Sequence, residues 1–202
     1  MGKGFIKFRD IEPGIRFAMH HYTLKQDLHL KRKGPAENYD LVSIVFNSNE
    51  IPLEITPDRK TAIQFLKTNG SSIQIASSAF STETIFPANI EVHFGAIGLS
   101  REVLCGMVGL EKVSGPLATI LRGDELFFYH EKMHPEVQRT LRQISETDDR
   151  DELSSLYYKI KIRELIYLLF AKLLERGATN KGRLTRPTSI SCLSFVRRSW
   201  PI

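Results

Sequence analysis

The stretch DRDELSSLYYKIKIRELIYLLFAKLLER, residues Asp149 to Arg176, decides how the chain is read. At about 100° per residue, Tyr158, Ile162, Leu165, Ile166, Leu169 and Leu173 share one face of a helix. Leu156, Ile160, Tyr167, Phe170 and Leu174 fall roughly 120° away and form a second stripe. A helix packed on one domain shows a single apolar stripe a little over about 100° wide. The second stripe therefore requires a second surface, most simply another copy of the chain. Arg163 lies within it, and either marks its edge with the head in solvent or pairs with Glu164 or Glu175 of a partner helix. A homodimer interface is thus expected at Leu156, Ile160, Arg163, Tyr167, Phe170 and Leu174. Asp149 is expected to cap the helix, and Glu152 to complete a capping box.

Upstream, Pro135 suits a first helical position, and Val137, Leu141 and Ile144 recur at helical spacing as far as Ser145. Residues 132–177 therefore read as a two-helix hairpin. Before it the period is two: Ile15, Phe17 and Met19 alternate with Arg16, Ala18 and His20, Ile63 and Phe65 flank Gln64, Ile73 and Ile75 flank Gln74, and Ile90, Val92 and Phe94 alternate with Glu91 and His93. Asn69-Gly70 suits a tight hairpin turn. Leu41 to Phe46, LVSIVF, reads as a strand buried on both faces. Glu12-Pro13-Gly14, Asn47-Ser48-Asn49 and Thr56-Pro57-Asp58 punctuate these runs as turns. Arg101 to Met107 predicts a short helix capped by Ser100 and stopped at Gly106 or Gly109. Glu125 to His130 predicts a closing strand. The expected class is α+β: an antiparallel jelly roll or barrel over residues 1–131, the hairpin, and a basic linker or disordered tail over 178–202.

Composition agrees with a soluble globular protein: 202 residues, 42% hydrophobic and 25% charged. The longest apolar run, Leu165 to Leu174, contains Lys172 and falls short of the roughly 18 residues of a membrane span. The start, MGKGFIKFRDIEPG, has no apolar core of a signal peptide, so a cytoplasmic protein is expected. Cys105 and Cys192 stand in no metal-binding or redox spacing. The net charge of +5 comes entirely from Lys181, Arg183, Arg186, Arg197 and Arg198, so the body before the tail is neutral.

Candidate chemistry is sparse. His20 and His21 are adjacent, hence on opposite faces of a strand, and cannot converge on one ion. Glu91 and His93 share a face and could supply two ligands, but solvent exposure is the simpler reading; no metal is expected. No nucleophile elbow, phosphate loop or dinucleotide fingerprint occurs. The four acids within Asp148 to Glu152 suit a helix start, and Lys31-Arg32-Lys33 suits a solvated turn.

The phrase LFFYHEKMHPEVQRTLRQI (126–144), followed by SSLYYKIKIRELIYLLFAKLLER (154–176), resembles the N-terminal sensing and dimerisation half of AraC-type transcriptional regulators. The likeness spans residues 1–177. It is most specific at Tyr157 to Lys161 and at Glu164 to Phe170, with a weaker echo in FGAIGLSREVL (94–104). The resemblance implies a cupin-like barrel that binds a small-molecule effector, helices that dimerise, no cofactor and no enzymatic activity. DNA would be met only through a C-terminal helix-turn-helix half. The tail GATNKGRLTRPTSISCLSFVRRSWPI shows no such pattern, so the chain reads as a regulator truncated before that half. The competing expectations are a small cupin-type enzyme acting on a sugar or organic acid, and a structural module without a ligand.

Overall fold

A computed structural model describes residues 2–33, 40–48, 54–57, 70–78, 82–109, 116–122 and 127–179. Nine strands and four helices follow in the order β1 (Lys3–Glu12), β2 (Ile15–Thr23), β3 (Leu28–Arg32), β4 (Leu41–Asn47), β5 (Glu54–Pro57), β6 (Ser72–Ser77), β7 (Thr82–Phe86), β8 (Glu91–Ser100), α1 (Arg101–Val108), α2 (Pro116–Arg122), β9 (Phe128–Lys132), α3 (Pro135–Ser145) and α4 (Ser154–Thr179) among the described residues. The class is mixed α and β. A six-stranded sheet runs β1-β2-β8-β4-β6-β9, and a three-stranded sheet runs β3-β7-β5. Every pairing is antiparallel. The described strands do not join into one closed barrel, because β3, β7 and β5 pair only with one another.

The period-two run of β2 settles as expected, whereas in β6 Gln74 is buried along with Ile73 and Ile75 and the alternation has no solvent face. In β2, Ile15, Phe17 and Met19 are buried while Arg16 is exposed. β4 departs from the expectation of burial on both faces: Val42, Ile44 and Phe46 are fully buried, but Leu41 is 45% exposed and Ser43 and Val45 are half-buried. Thr56 and Pro57 belong to β5 rather than to a turn, and Asn47 ends β4. The run around Ile63 to Phe65, Asn69 of the Asn-Gly pair, the start of the 125–130 strand and the tail beyond residue 179 lie outside the described residues. Pro13-Gly14 makes the two-residue turn from β1 to β2, with Gly14 at φ +78°. A Cβ there would lie 2.6 Å from Ser100 Oγ, so both backbone and space require glycine.

α1 forms where Ser100 and Gly109 set its ends: Ser100 Oγ accepts the Val103 N–H at 3.3 Å, and Gly109 adopts φ +73°. α3 runs Pro135–Ser145 with Val137, Leu141 and Ile144 buried. α2 was not foreseen; its Leu117, Ile120 and Leu121 are buried beside α4. One apolar cluster joins Ile15, Phe17, Ile44, Phe46, Ile75, Ile97 and Leu99 of the large sheet to the inner stripes of α2, α3 and α4. The helices thus cover one face of this sheet. A second cluster on its opposite face sets Phe86 of β7 against Val92, Tyr22 and Phe94, so the small sheet lies over that side.

Candidate functional site

α4 carries both stripes. Tyr158, Ile162, Leu165, Ile166, Leu169 and Leu173 are at most 5% exposed and fill the chain's own core. On the other side Leu156, Ile160 and Tyr167 are 54%, 54% and 70% exposed, and Leu174 is 39% exposed. Leu153, just before the helix, extends the same face and is exposed. Phe170 departs from its assignment to this face, being only 3% exposed and packed in the core. The cause is helical drift: 153, 156, 160, 163, 167, 170 and 174 follow alternating steps of three and four, and a straight helix rotates such a seam by about 20° per heptad. Phe170 sits only about 40° from Ile166, and its ring turns inward.

Arg163 stands at the edge of this stripe, its side chain 61% exposed. Its guanidinium pairs with Glu12 of the same chain, Nη2 lying 2.8 Å from Oε2 and 3.0 Å from Oε1. Glu164 accepts Lys161 Nζ at 2.7 Å and Thr140 Oγ1 at 3.3 Å, so it serves the α3–α4 contact. Asp149 does not cap α4, which begins at Ser154. Its carboxylate instead accepts the Tyr158 hydroxyl at 2.9 Å and Lys7 Nζ at 3.1 Å, and lies 2.5 Å from Arg9 Nη2. Arg9 also covers the Tyr158 ring at 4.3 Å. Burial alone would raise the Asp149 carboxyl, but bonds from Lys7, Tyr158 and Arg9 outweigh it and hold the pKa below its usual range. Asp148 and Asp151 shape the preceding turn by accepting the N–H groups of Arg150 and Leu153. β1, an edge strand, is therefore tied to the helical hairpin by Lys7, Arg9 and Glu12.

The histidines divide as adjacency required. His21 lies directly opposite His93 in the ladder, with ring centroids 5.2 Å apart, and bonds to Glu91. That bond, and then the charge of His21, lowers the Glu91 pKa. Burial lowers the His93 pKa, and the neighbouring His21 charge adds to it. His21 and Glu91 are exposed, at 42% and 69% of their side chains, whereas His93 is half-buried. Among the described residues no set of three or more His, Cys, Asp and Glu is arranged to hold a metal ion. Lys31 and Arg32 lie on β3 rather than in a turn.

On the opposite face the register assembles a set that pattern reading missed. Side chains opposite one another in a ladder share a face, so His20, Phe94, Asn47 and Ser72 form one row across β2, β8, β4 and β6. The next row holds Ala18, Ala96, Val45, Gln74 and, on β9, His130. Asn47, Ser72 and Gln74 are 1%, 2% and 8% exposed. Both amide atoms of Asn47, Ser72 Oγ, Gln74 Nε2, His20 Nδ1 and His130 Nε2 are buried without a hydrogen-bond partner among the described residues. Burial lowers the pKa of His20, and that of His130 against the opposing pull of Glu131. Beside these groups His20 stacks on Phe94 at 4.1 Å, and Phe86 lies 6.2 Å from both Phe94 and Tyr22. The only sequence signal was the presence of Asn, Ser and Gln within apolar strands.

No family model matches the chain, and no curated protein matches its sequence. Two solved structures of ToxT from Vibrio cholerae, an AraC-family regulator, are similar to it. An apo point variant shares 11% identity at a TM-score of 0.49 and covers 78% of this chain and 56% of its own. The second shares 9% identity at a TM-score of 0.47, covering 81% and 57%. Vicilin from hazelnut, Corylus avellana, shares 12% identity at a TM-score of 0.32, covering 69% and 45%. The chain thus spans a little over half the length of the ToxT chains it matches. Among the described residues no helix is long and apolar enough to cross a membrane.

Proposed function

We propose that the chain is an effector-sensing and dimerising regulatory module of the AraC type, built on a cupin-like jelly roll. The observation that carries the proposal is the exposed face of α4: Leu153, Leu156, Ile160, Tyr167 and Leu174, on a helix whose opposite face is buried in its own core. Spacing of three and four residues is that of a two-helix seam, and an identical helix from a second copy complements it by symmetry. The likeness of Tyr157 to Lys161 and Glu164 to Phe170 to the family's dimerising segment supports the same face. The jelly-roll reading draws support from concentric pairs β2 with β8, β3 with β7 and β4 with β6, alternating between the two sheets as in a hairpin rolled up. The small molecule is assigned to the inner face of the large sheet, and no contact with DNA is assigned to residues 2–179.

Sedimentation of the whole chain at tens of micromolar tests the reading. A dimer is expected. The double variant Ile160→Glu, Tyr167→Glu should sediment as a monomer with an unaltered circular dichroism spectrum, because both side chains are exposed in the protomer. A monomeric wild type, or a double variant that remains dimeric, would defeat the proposal.

A further inference from the structure

We propose that the inner face of the six-stranded sheet takes an uncharged molecule, with hydrogen-bond donors and acceptors at one end and a flat apolar face at the other. This rests on the reading of the chain as an effector-sensing module and names the chemistry of its ligand. Nearly all buried polar side-chain atoms in folded proteins have a partner. Among the described residues Asn47 Oδ1 and Nδ2, Ser72 Oγ and Gln74 Nε2 have none, and they lie in two adjacent rows on one face. Desolvation without compensation disfavours each of them, and a ligand that bonds to them removes that penalty.

The set contains an acceptor, at least two amide donors and a hydroxyl that serves as either, which matches an amide, a lactam or an alcohol. It offers nothing to neutralise a buried ion. In the two rows, from β2 to β6, the side chains are His20, Phe94, Asn47, Ser72, Ala18, Ala96, Val45 and Gln74, and none is an acid, a lysine or an arginine. His130 opposite Gln74 is held toward its neutral form by burial. Among the described residues of these rows the one cation, Lys132, stands at the exposed edge, so a carboxylate or ammonium placed between Asn47 and Gln74 would forfeit its hydration with little opposite charge to replace it. The aromatic side of the face, Phe94 with His20, Tyr22 and Phe86, supplies the flat apolar wall.

Benzamide, benzoate and benzamidinium share one ring and differ in charge, so they serve as matched probes for the whole chain at pH 7. Benzamide should shift the side-chain amide NMR signals of Asn47 and Gln74 saturably, with the two ions at least about tenfold weaker. Asn47→Leu and Gln74→Met should each weaken benzamide by about tenfold or more. Each should also raise Tm by about 2–4 °C, because an unpartnered polar group leaves the interior. Equal or tighter binding of either ion, no saturable shift by any of the three, or lower Tm in both variants would overturn the proposal. Sedimentation of the same samples separates the two readings. A dimer without benzamide selectivity defeats only the ligand class, whereas a monomer that binds benzamide selectively defeats the regulatory module and leaves the site.

Discussion

Replacing Asp149 by Ala removes the group on which the tie between β1 and α4 converges. Three interactions are lost. The ion pairs with Lys7 and Arg9 are partly exposed, at 47% and 29% of those side chains, and such pairs contribute about 0.2–1 kcal/mol each. The Tyr158 hydroxyl, on a residue only 5% exposed, loses its charged acceptor, a bond worth about 1.5–3 kcal/mol. The expected destabilisation is roughly 2–5 kcal/mol, which lowers Tm on the order of 10 °C. Urea unfolding of wild type, Asp149→Ala, Tyr158→Phe and the double variant measures the coupling directly. It should reach about 1 kcal/mol; additivity within about 0.3 kcal/mol would refute the network. The pH dependence follows from the lowered carboxyl pKa. Its stabilisation is complete above the ordinary value of 3.8 and disappears as pH falls through the lower folded-state value. The gap between wild type and Asp149→Asn should therefore narrow in acid, and a gap that widens there would contradict the assignment.

Leu165→Ala, at a fully buried position, should lose about 2–5 kcal/mol in urea unfolding, whereas Ile160→Ala should leave protomer stability within about 0.5 kcal/mol and weaken only self-association. Comparable losses at both sites would mean that the two faces of α4 are not distinct. His21→Ala should move the Glu91 carboxyl titration upward, because the His21 bond is the largest cause of its lowered pKa; carbon-detected NMR titration reads this, and an unchanged curve would exclude the pairing in solution. Gly14→Ala should destabilise the chain by about 1–3 kcal/mol, since φ is +78° and the new Cβ would meet Ser100 Oγ at 2.6 Å and Val103 Cγ2 at 2.7 Å; unaltered thermal unfolding would argue against this turn.

α3 and α4 were legible because a buried stripe in a helix leaves its period in neighbouring residues. Phe170 was misplaced because a stripe drawn on a wheel has no depth, and a large ring near the boundary turns to whichever side is already dry. β1 and β3 escaped notice for the opposite reason. Phe5, Ile6, Phe8, Leu28 and Leu30 are at least 41% exposed, so these edge strands show no one-sided burial to imprint an alternation. α2, at seven residues, is too short to establish a period. The inner-face set was invisible because its order is set by register rather than by sequence: Asn47 meets Ser72 across a ladder, and Gln74 meets His130 across another. Local spacing alone points to Asp149 as a cap, while its partners Lys7 and Arg9 lie at the other end of the chain.

The two proposed surfaces are separated by one layer of sheet, and that limits how they could communicate. Inner-row residues Asn47, Phe94 and His20 alternate with Phe46, Gly95 and Met19, which face the helices; a Cβ on Gly95 would lie 3.1 Å from Leu141 of α3. A displacement of β8 by a ligand is therefore felt beneath the hairpin. Yet a ligand shifts an equilibrium only by its differential affinity for two arrangements, and coupling energies are typically about 1–3 kcal/mol. Lifting α4 off the sheet would expose Ile162, Leu165, Leu169 and Leu173 together, each fully buried side chain being worth about 1.5–3 kcal/mol. That exceeds the available coupling several times over. The ties of Arg163 to Glu12 and of Asp149 to Lys7 and Arg9 are individually weak and half open to solvent. A switch in this module would therefore keep α4 seated and change β1 and the α3–α4 link, altering the rim of the exposed seam where Arg163 stands between Ile160 and Tyr167.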